Sequence, residues 1–300
     1  MATDATDDRA LRTSRFAPYL LSLPGLLCLY LFFIVPLVTL LKIALSVRTA
    51  SGSTNVEFQW EWSNFSKAFT DFGEQLWRAF LYAGIATVLC VLFAYPIAYF
   101  IAFKAGKWAN LLIGLVMVPF FTSFLLRTIA WQSLFADSGP ILGVVDWLQL
   151  TALTDFLHIT TDGVIMNTPA AVIGGLTYNF MPFALLPIYV SLEKVQVNLI
   201  DAAADLYSSF GRTFRKVILP LSLPGVFAGT LLTFIPATGD FINAELLGNP
   251  QTSVIGNVVQ TQFLERNDYP TAAAISFVLM AIIVALVLVY AKFLGTEDLA

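Results

Sequence analysis

Long apolar runs alternate with shorter polar stretches along the whole chain. Windows rich in Leu, Ile, Val, Phe and Ala cover Pro18 to Leu45, Phe80 to Phe103, Ala109 to Phe135, Pro169 to Leu192, Leu221 to Phe241 and Thr271 to Leu294. A helix that crosses a bilayer needs about 20 mostly apolar residues, so the pattern predicts an all-α integral membrane protein with six transmembrane helices. Ten-residue blocks of alternating polarity, the mark of an outer-membrane barrel, are absent. The polar stretches between the runs differ in kind. Ser46 to Trp77 contains WEWSNFSKAF, which predicts a short surface helix with tryptophans at headgroup level. Ala136 to Asn167 holds Asp137, Asp146, Asp155 and Asp162 and no Lys or Arg. In Ile242 to Pro270 the Gly248, Asn249, Pro250 triplet marks a turn beside a short helix.

The stretch from residue 193 to 220 stands apart. Its segment DAAADLYSSFGRTFRKVILPLSLPG, Asp201 to Gly225, is polar yet lies between two apolar runs. Asn198 fits an N-cap, with Asp201 near the positive end of the helix dipole and Ala202, Ala203 and Ala204 as strong helix formers. Leu206, Phe210, Phe214 and Val217 recur every three or four residues, and Asp205, Ser208, Ser209, Arg212 and Lys216 take the other side. Pro220 and Pro224 punctuate entry to the next span. Such a helix either lies on the lipid surface or docks a soluble partner, and its pattern alone leaves both open.

Composition agrees with the spans and charge adds an orientation. Hydrophobic residues are 58% and charged residues 12% of the 300, with a mean hydropathy of +0.78. The first apolar run is too long for a signal-peptide core, so residues 1–15 are expected to be a retained cytoplasmic tail and 16–300 the permeating domain. With six spans, one set of loops and tails holds Arg9, Arg12, Arg15, Lys104, Lys107, Lys194, Arg212, Arg215, Lys216 and Lys292. Those are ten of the sixteen bases, which predicts both termini in the cytoplasm. Cys28 and Cys90 lie within apolar runs and read as small buried hydrophobes. His158 is the only histidine, so no multi-histidine metal site is available and no metal is expected.

The polar stretch also carries a family likeness. DAAADLYSSFGRTFRKVILPLSLPG resembles the EAA loop of the permease subunits of type I ATP-binding-cassette importers, matching at Asp201, Ala202, Ala203, Leu219 and Pro220, with Gly225 and Gly229 following. The resemblance implies a cytoplasmic coupling helix between the fourth and fifth spans that docks in a groove of an ATPase subunit. Asp201, Ala202, Ala203, Leu206, Phe210, Arg212, Leu219 and Pro220 would then form the coupling element. Asp201 stands in place of the family's Glu, and Tyr207 in place of its Gly, so either the bend is made otherwise or the helix is straighter. VPFFTSFLLRTIAWQSLF, FIPATGDFINAELLG, VIGNVVQTQF and YPTAAAISFVLM are similar to spermidine/putrescine permeases, and branches for sulfate, iron, thiamine and phosphonates share the overall pattern. The implied assembly has two ATPase subunits, a second permease subunit and a periplasmic or lipid-anchored substrate-binding protein, in lipid and without nucleic acid. No GxxxxGK[ST] stretch is present, so the chain is read as a non-enzyme without cofactor, ATP and Mg being held by the partner ATPase.

A polycation stripped of water needs carboxylates and aromatic faces. Asp240 leads the candidates, almost 30 Å from Leu221 at about 1.5 Å per residue, after Pro236 and Gly239 loosen the helix. Glu245 follows at the same mouth. For each, the other reading is an acid bonded to local backbone. Trp131 and Arg127 share a helix face, and Arg127 either pairs with an acid such as Asp137 or Asp240 or snorkels to the surface. Tyr178, with Phe180, either lines the path or packs between spans. A membrane-embedded enzyme would need paired catalytic groups inside spans, which are missing. A non-transporting anchor that recruits a cytoplasmic partner is the remaining alternative.

Overall fold

The computed structural model describes residues 17–49, 55–136, 139–147, 160 and 164–294. Residues 1–16, His158, Asp137, Asp155 and Asp162 lie outside the described residues. The first apolar run forms α1 (Ala17–Leu29) and α2 (Val35–Ala44), joined by a π turn over Tyr30–Ile34. A small antiparallel hairpin follows, β1 (Ser46–Arg48) with β2 (Val56–Phe58), Val47 opposite Glu57. It is a local exception to the all-α expectation. Next come α3 (Ser63–Thr70), the surface helix expected from WEWSNFSKAF, and the long α4 (Gly73–Phe103). Helix α5 (Ala109–Met117) tightens into a 3-10 turn at Val118–Phe121 before α6 (Phe124–Phe135) and α7 (Pro140–Trp147). Then α8 (Pro169–Glu193), α9 (Val197–Asp205), α10 (Phe210–Thr213) and α11 (Leu219–Gly239) lead to α12 (Ile242–Leu247), α13 (Ile255–Gln260) and α14 (Tyr269–Leu294).

Among the described residues five helices are long and apolar enough to cross a membrane, or six if the bent pair α5–α6 is one span. That pair is where the sequence pattern misleads most. The run Ala109 to Phe135 reads as one straight span, yet its halves meet at 93°. Thr122 and Ser123 are extended, with ψ of 156° and 133°, and the Thr122 hydroxyl donates to the Pro119 carbonyl at 2.6 Å. A side chain that bonds its own backbone competes with the helix ladder. Helix α6 then restarts with Arg127 N donating to Ser123 O.

The core is the packing of α4, α8 and α11. Along α4 the buried residues Ala79, Ala83, Ala86, Cys90, Ala94 and Ala98 recur every three or four positions, so their side chains keep to one stripe against α8. In a bilayer, association depends on close van der Waals packing, which small residues permit. Gly225 and Gly229 of α11 do the same against α8. A Cβ at Gly229 would lie 2.9 Å from the Ala184 carbonyl oxygen, and one at Gly225 would lie 2.5 Å from that of Pro187. Polar groups close the seams, with Cys90 Sγ donating to Thr177 O at 3.2 Å and the Tyr95 and Ser222 hydroxyls 2.8 Å apart. Large apolar side chains of α1 and α2, such as Phe32 and Phe33, are exposed, as a lipid-facing helix requires. Cys28 is exposed with them, against the buried reading, while Cys90 is buried as expected.

The fifth span also departs from its sequence boundary. The helix is continuous from Phe210 through Gly239 rather than starting at Leu221. A π turn at Phe214–Ile218 absorbs Pro220 two residues later, as the turn at Tyr30–Ile34 does for Pro36. Proline crowds the carbonyl four residues back, and widening the preceding turn relieves that clash. Pro236 leaves the helix unbroken, and the helix ends at Gly239.

Candidate functional site

Two surfaces hold the residues singled out in the sequence, at opposite ends of the spans. At one end is the polar stretch. It does not form one amphipathic helix. Helix α9 starts after Gln196, not Asn198, and stops at Asp205. Tyr207 then takes a left-handed conformation, φ 55°, with its N–H donating to Ala204 O and the Ser208 N–H to Ala203 O. The bend is therefore kept at the position where the family's glycine would stand, and the straighter helix is ruled out. Asp201, Ala202 and Arg212 are exposed and Ala203 half-buried. Leu206, Tyr207 and Phe210 are 81%, 96% and 69% exposed, an apolar knuckle with little of this chain around it. The expected stripe splits at the bend. Phe214, in the π turn, faces the end of α4, its ring 5.7 Å from Tyr95 and 6.3 Å from Tyr99, while Leu219 and Pro220 start α11.

At the other end, α6, α8 and α12 converge on a buried polar chain that the sequence reading missed. Asn243 donates through its backbone N–H and its Nδ2 to the same oxygen, Oδ1 of Asp240, at 2.9 and 3.0 Å. Asn179 Nδ2 donates to Asn243 Oδ1 at 3.0 Å and to Thr128 Oγ1 at 3.1 Å, and Thr128 donates onward to Phe124 O. Asn179, Asn243 and Thr128 are each fully buried. Because a carboxylate only accepts, Asp240 fixes the direction of every amide in the chain. Asn179 Oδ1 is left buried without a donor. The segment TYNFMPF does signal this position, since an amide inside a spanning run must find partners.

Asp240 follows the last residue of α11 with ψ 124°, and its Oδ1 caps the first turn of α12. The local-backbone role weighed for it is thus real. It uses only one oxygen, however, and among the described residues no donor reaches Oδ2. Glu245 is exposed and accepts from Asn257 Nδ2 at 3.0 Å, and Asn257 also binds the Phe241 carbonyl. Trp131 and Tyr178 meet edge to face at 5.0 Å, so α6 and α8 present a ring pair beside the chain. Phe180 packs on Phe124 and Phe183 and is buried, the packing alternative. Gln132 Nε2 adds a bond to Leu246 O at 3.3 Å. Asp240, Glu245, Trp131 and Tyr178 are therefore brought to one end of the molecule.

Arg127 is 9% exposed, so it does not snorkel, and it does not pair with Asp240; Asp137, the other acid expected for it, lies outside the described residues, among which no carboxylate pairs with Arg127. Its guanidinium lies 5.5 Å from the Phe120 ring centre and 5.7 Å from that of Phe124, and Nε has no acceptor.

No family model matches the chain. Among curated proteins it is 36% identical over 262 residues to the spermidine/putrescine transport system permease protein PotB of Haemophilus influenzae, covering 87% of this chain and 89% of that one. PotB of Escherichia coli is 35% identical over 263 residues, covering 87% and 92%. Among solved structures, a bacterial alginate ABC transporter in complex with an alginate pentasaccharide-bound periplasmic protein superposes with a TM-score of 0.70 at 14% identity, over 95% of both chains. A second alginate importer structure gives 0.67 at 16% identity, over 93% of this chain and 95% of that one. These two likenesses bear on the fold.

Proposed function

The chain belongs to the spermidine/putrescine permease family of ABC importers, and on that premise we propose that it is the membrane-spanning subunit through which an ATP-driven importer moves polyamines handed over by an external binding protein. The observation that carries the substrate class is the 36% identity to PotB across nearly the whole length of both proteins. The chemistry agrees. Asp240 keeps Oδ2 open while Asn243 holds the carboxylate by Oδ1, and the Trp131 and Tyr178 rings supply apolar, electron-rich faces for an alkylammonium chain.

In this reading the bent pair α5–α6 counts as one span, giving six, and residues 16–300 form a single permease domain behind a cytoplasmic tail of residues 1–15. Helix α9 and the knuckle Leu206, Tyr207 and Phe210 are the cytoplasmic coupling element of loop 193–220, with Asp201, Ala202, Ala203 and Arg212 on its docking surface. A separate ATPase subunit binds ATP and Mg, so this chain is not itself the enzyme and carries no cofactor. Two ATPase subunits, a second permease subunit and a periplasmic or lipid-anchored binding protein complete the importer. ATP and the loaded binding protein drive transport only if both favour the outward-open state over the inward-open one.

The test is ATP-driven uptake of labelled spermidine, putrescine, sulfate and thiamine by proteoliposomes holding the whole complex. Accumulation of the two polyamines alone is the expected result. Uptake of sulfate or thiamine instead would reassign the substrate, and no uptake of any of them with an intact complex would favour a non-transporting anchor.

A further inference from the structure

We propose that in this conformation Arg127 is a positive barrier that keeps small inorganic cations from leaking through the solute path while the importer is idle. The inference rests on the reading of Asp240 as part of a cation path. A path lined to attract a polyamine attracts potassium, sodium and protons as well, and a membrane that maintains ion gradients cannot leave it open to them. Selectivity against such ions can come from a buried arginine or from the positive end of a half-helix. Both occur here at one place. Arg127 lies in the first turn of α6, just beyond the 93° break, where the helix dipole is positive and already disfavours a cation. It is 9% exposed and, among the described residues, has no carboxylate partner. Its guanidinium is held by the faces of Phe120 and Phe124, which stabilise the charge without cancelling it, as an ion pair would. A buried cation in a spanning segment is costly and marks a function, and neither packing nor snorkelling requires this one to stay charged. Arg127 and Trp131 lie four apart on one face of α6, and Trp131 meets Tyr178 of α8 edge to face at 5.0 Å, which sets the barrier beside the ring pair of the candidate cation site.

The experiment uses the whole complex in proteoliposomes loaded with labelled rubidium, without ATP, polyamine or binding protein. Wild-type vesicles are expected to hold the ion, and Arg127→Met vesicles to lose it several-fold faster. Arg127→Lys loses its proton as pH passes the lysine pKa, about 10.4 in the free side chain, whereas arginine stays charged, so its efflux is expected to rise between roughly pH 7 and 11 while the wild type stays tight. Tyr178 lies on α8, Glu245 on α12 and Asp146 on α7, the helices packed against α6, and all three are retained in the wild-type control. The barrier is overturned if an assembled Arg127→Met complex holds rubidium as well as wild type, or, where that variant does not assemble, if Arg127→Lys stays tight over the same pH range. Because no polyamine is present, the outcome is independent of whether wild-type complexes import spermidine.

Discussion

At Asp240 the two carboxylate oxygens are engaged differently. Oδ1 takes both Asn243 donors and so starts α12, while Oδ2 stays open. Asp240→Asn keeps an acceptor for Asn243 but replaces the charge that would meet an ammonium. The loss of a charged hydrogen bond is worth about 1–3 kcal/mol, which predicts spermidine uptake falling roughly tenfold or more. Assembly and basal ATP hydrolysis are expected to persist, because the residue lies at the opposite end of the spans from α9. Normal uptake by the variant would remove Asp240 from the path, and failure to assemble would leave only the capping role. The acids themselves were legible in the sequence, since a carboxylate beside an apolar run has few roles. Asn179, Asn243 and Thr128 were not, because their meaning comes only from the convergence of α6, α8 and α12. The charge of Arg127 was legible, whereas the two rings beside it, in place of Asp240, were not. At Tyr207 the missing glycine raised the prospect of a straighter helix, but the chain keeps the bend and accepts a left-handed tyrosine at a cost of about 1–2 kcal/mol.

Among the elements, spans are legible where hydropathy alone decides them and illegible where a local side chain does. Helices α4, α8 and α14 fall within a few residues of their apolar windows, apart from the start of α4 at Gly73. The break in α5–α6 is invisible to hydropathy because both halves belong to one apolar run and the sequence there, FFTSF, has no glycine; the Thr122 hydroxyl and two extended residues make it. A helix through Ala202, Ala203 and Ala204 was legible, whereas its end at Asp205 was not, and the expected stripe from Leu206 to Val217 lies beyond it. This matters for coupling, because a separate α9 can move relative to the continuous Phe210–Gly239 helix only through the turn at Tyr207. Asp201 is exposed on α9, so Asp201→Lys reverses a charge on the proposed dock without touching the packed spans. The variant chain is expected to insert normally while losing the ATPase subunit on co-purification, or keeping it without ATP-driven uptake. An intact complex that transports at the normal rate would exclude Asp201 from coupling.

For the molecule as a whole, the contacts between distant segments set which loops share a face. Arg48 reaches the Arg266 carbonyl at 2.9 Å and lies 3.8 Å from Asp268, Arg78 binds the Ser253 carbonyl, and Asn249 Nδ2 binds the Asn167 carbonyl at 2.7 Å. The loops after the first, third and fifth apolar runs are thus joined on one side. The Tyr99, Phe210 and Phe214 rings join the end of α4 to the start of the fifth spanning helix on the other, beside α9. This relative sidedness requires an odd number of crossings between the joined faces, which is met if α5–α6 crosses once. The basic residues Lys104, Lys107, Lys194, Arg212, Arg215 and Lys216 all fall on the side of α9, the distribution that positive-inside insertion produces, and this supports placing that side in the cytoplasm. Gln251 and Ser209 are exposed on the two opposite faces. In a chain with Cys28 and Cys90 replaced by alanine, Gln251→Cys is therefore expected to react with a membrane-impermeant maleimide in intact cells, and Ser209→Cys only after the membrane is permeabilised. Labelling of both positions from outside would mean that the Phe210–Gly239 helix, which lies between them, does not cross the membrane, and the reverse pattern would invert the molecule in its membrane.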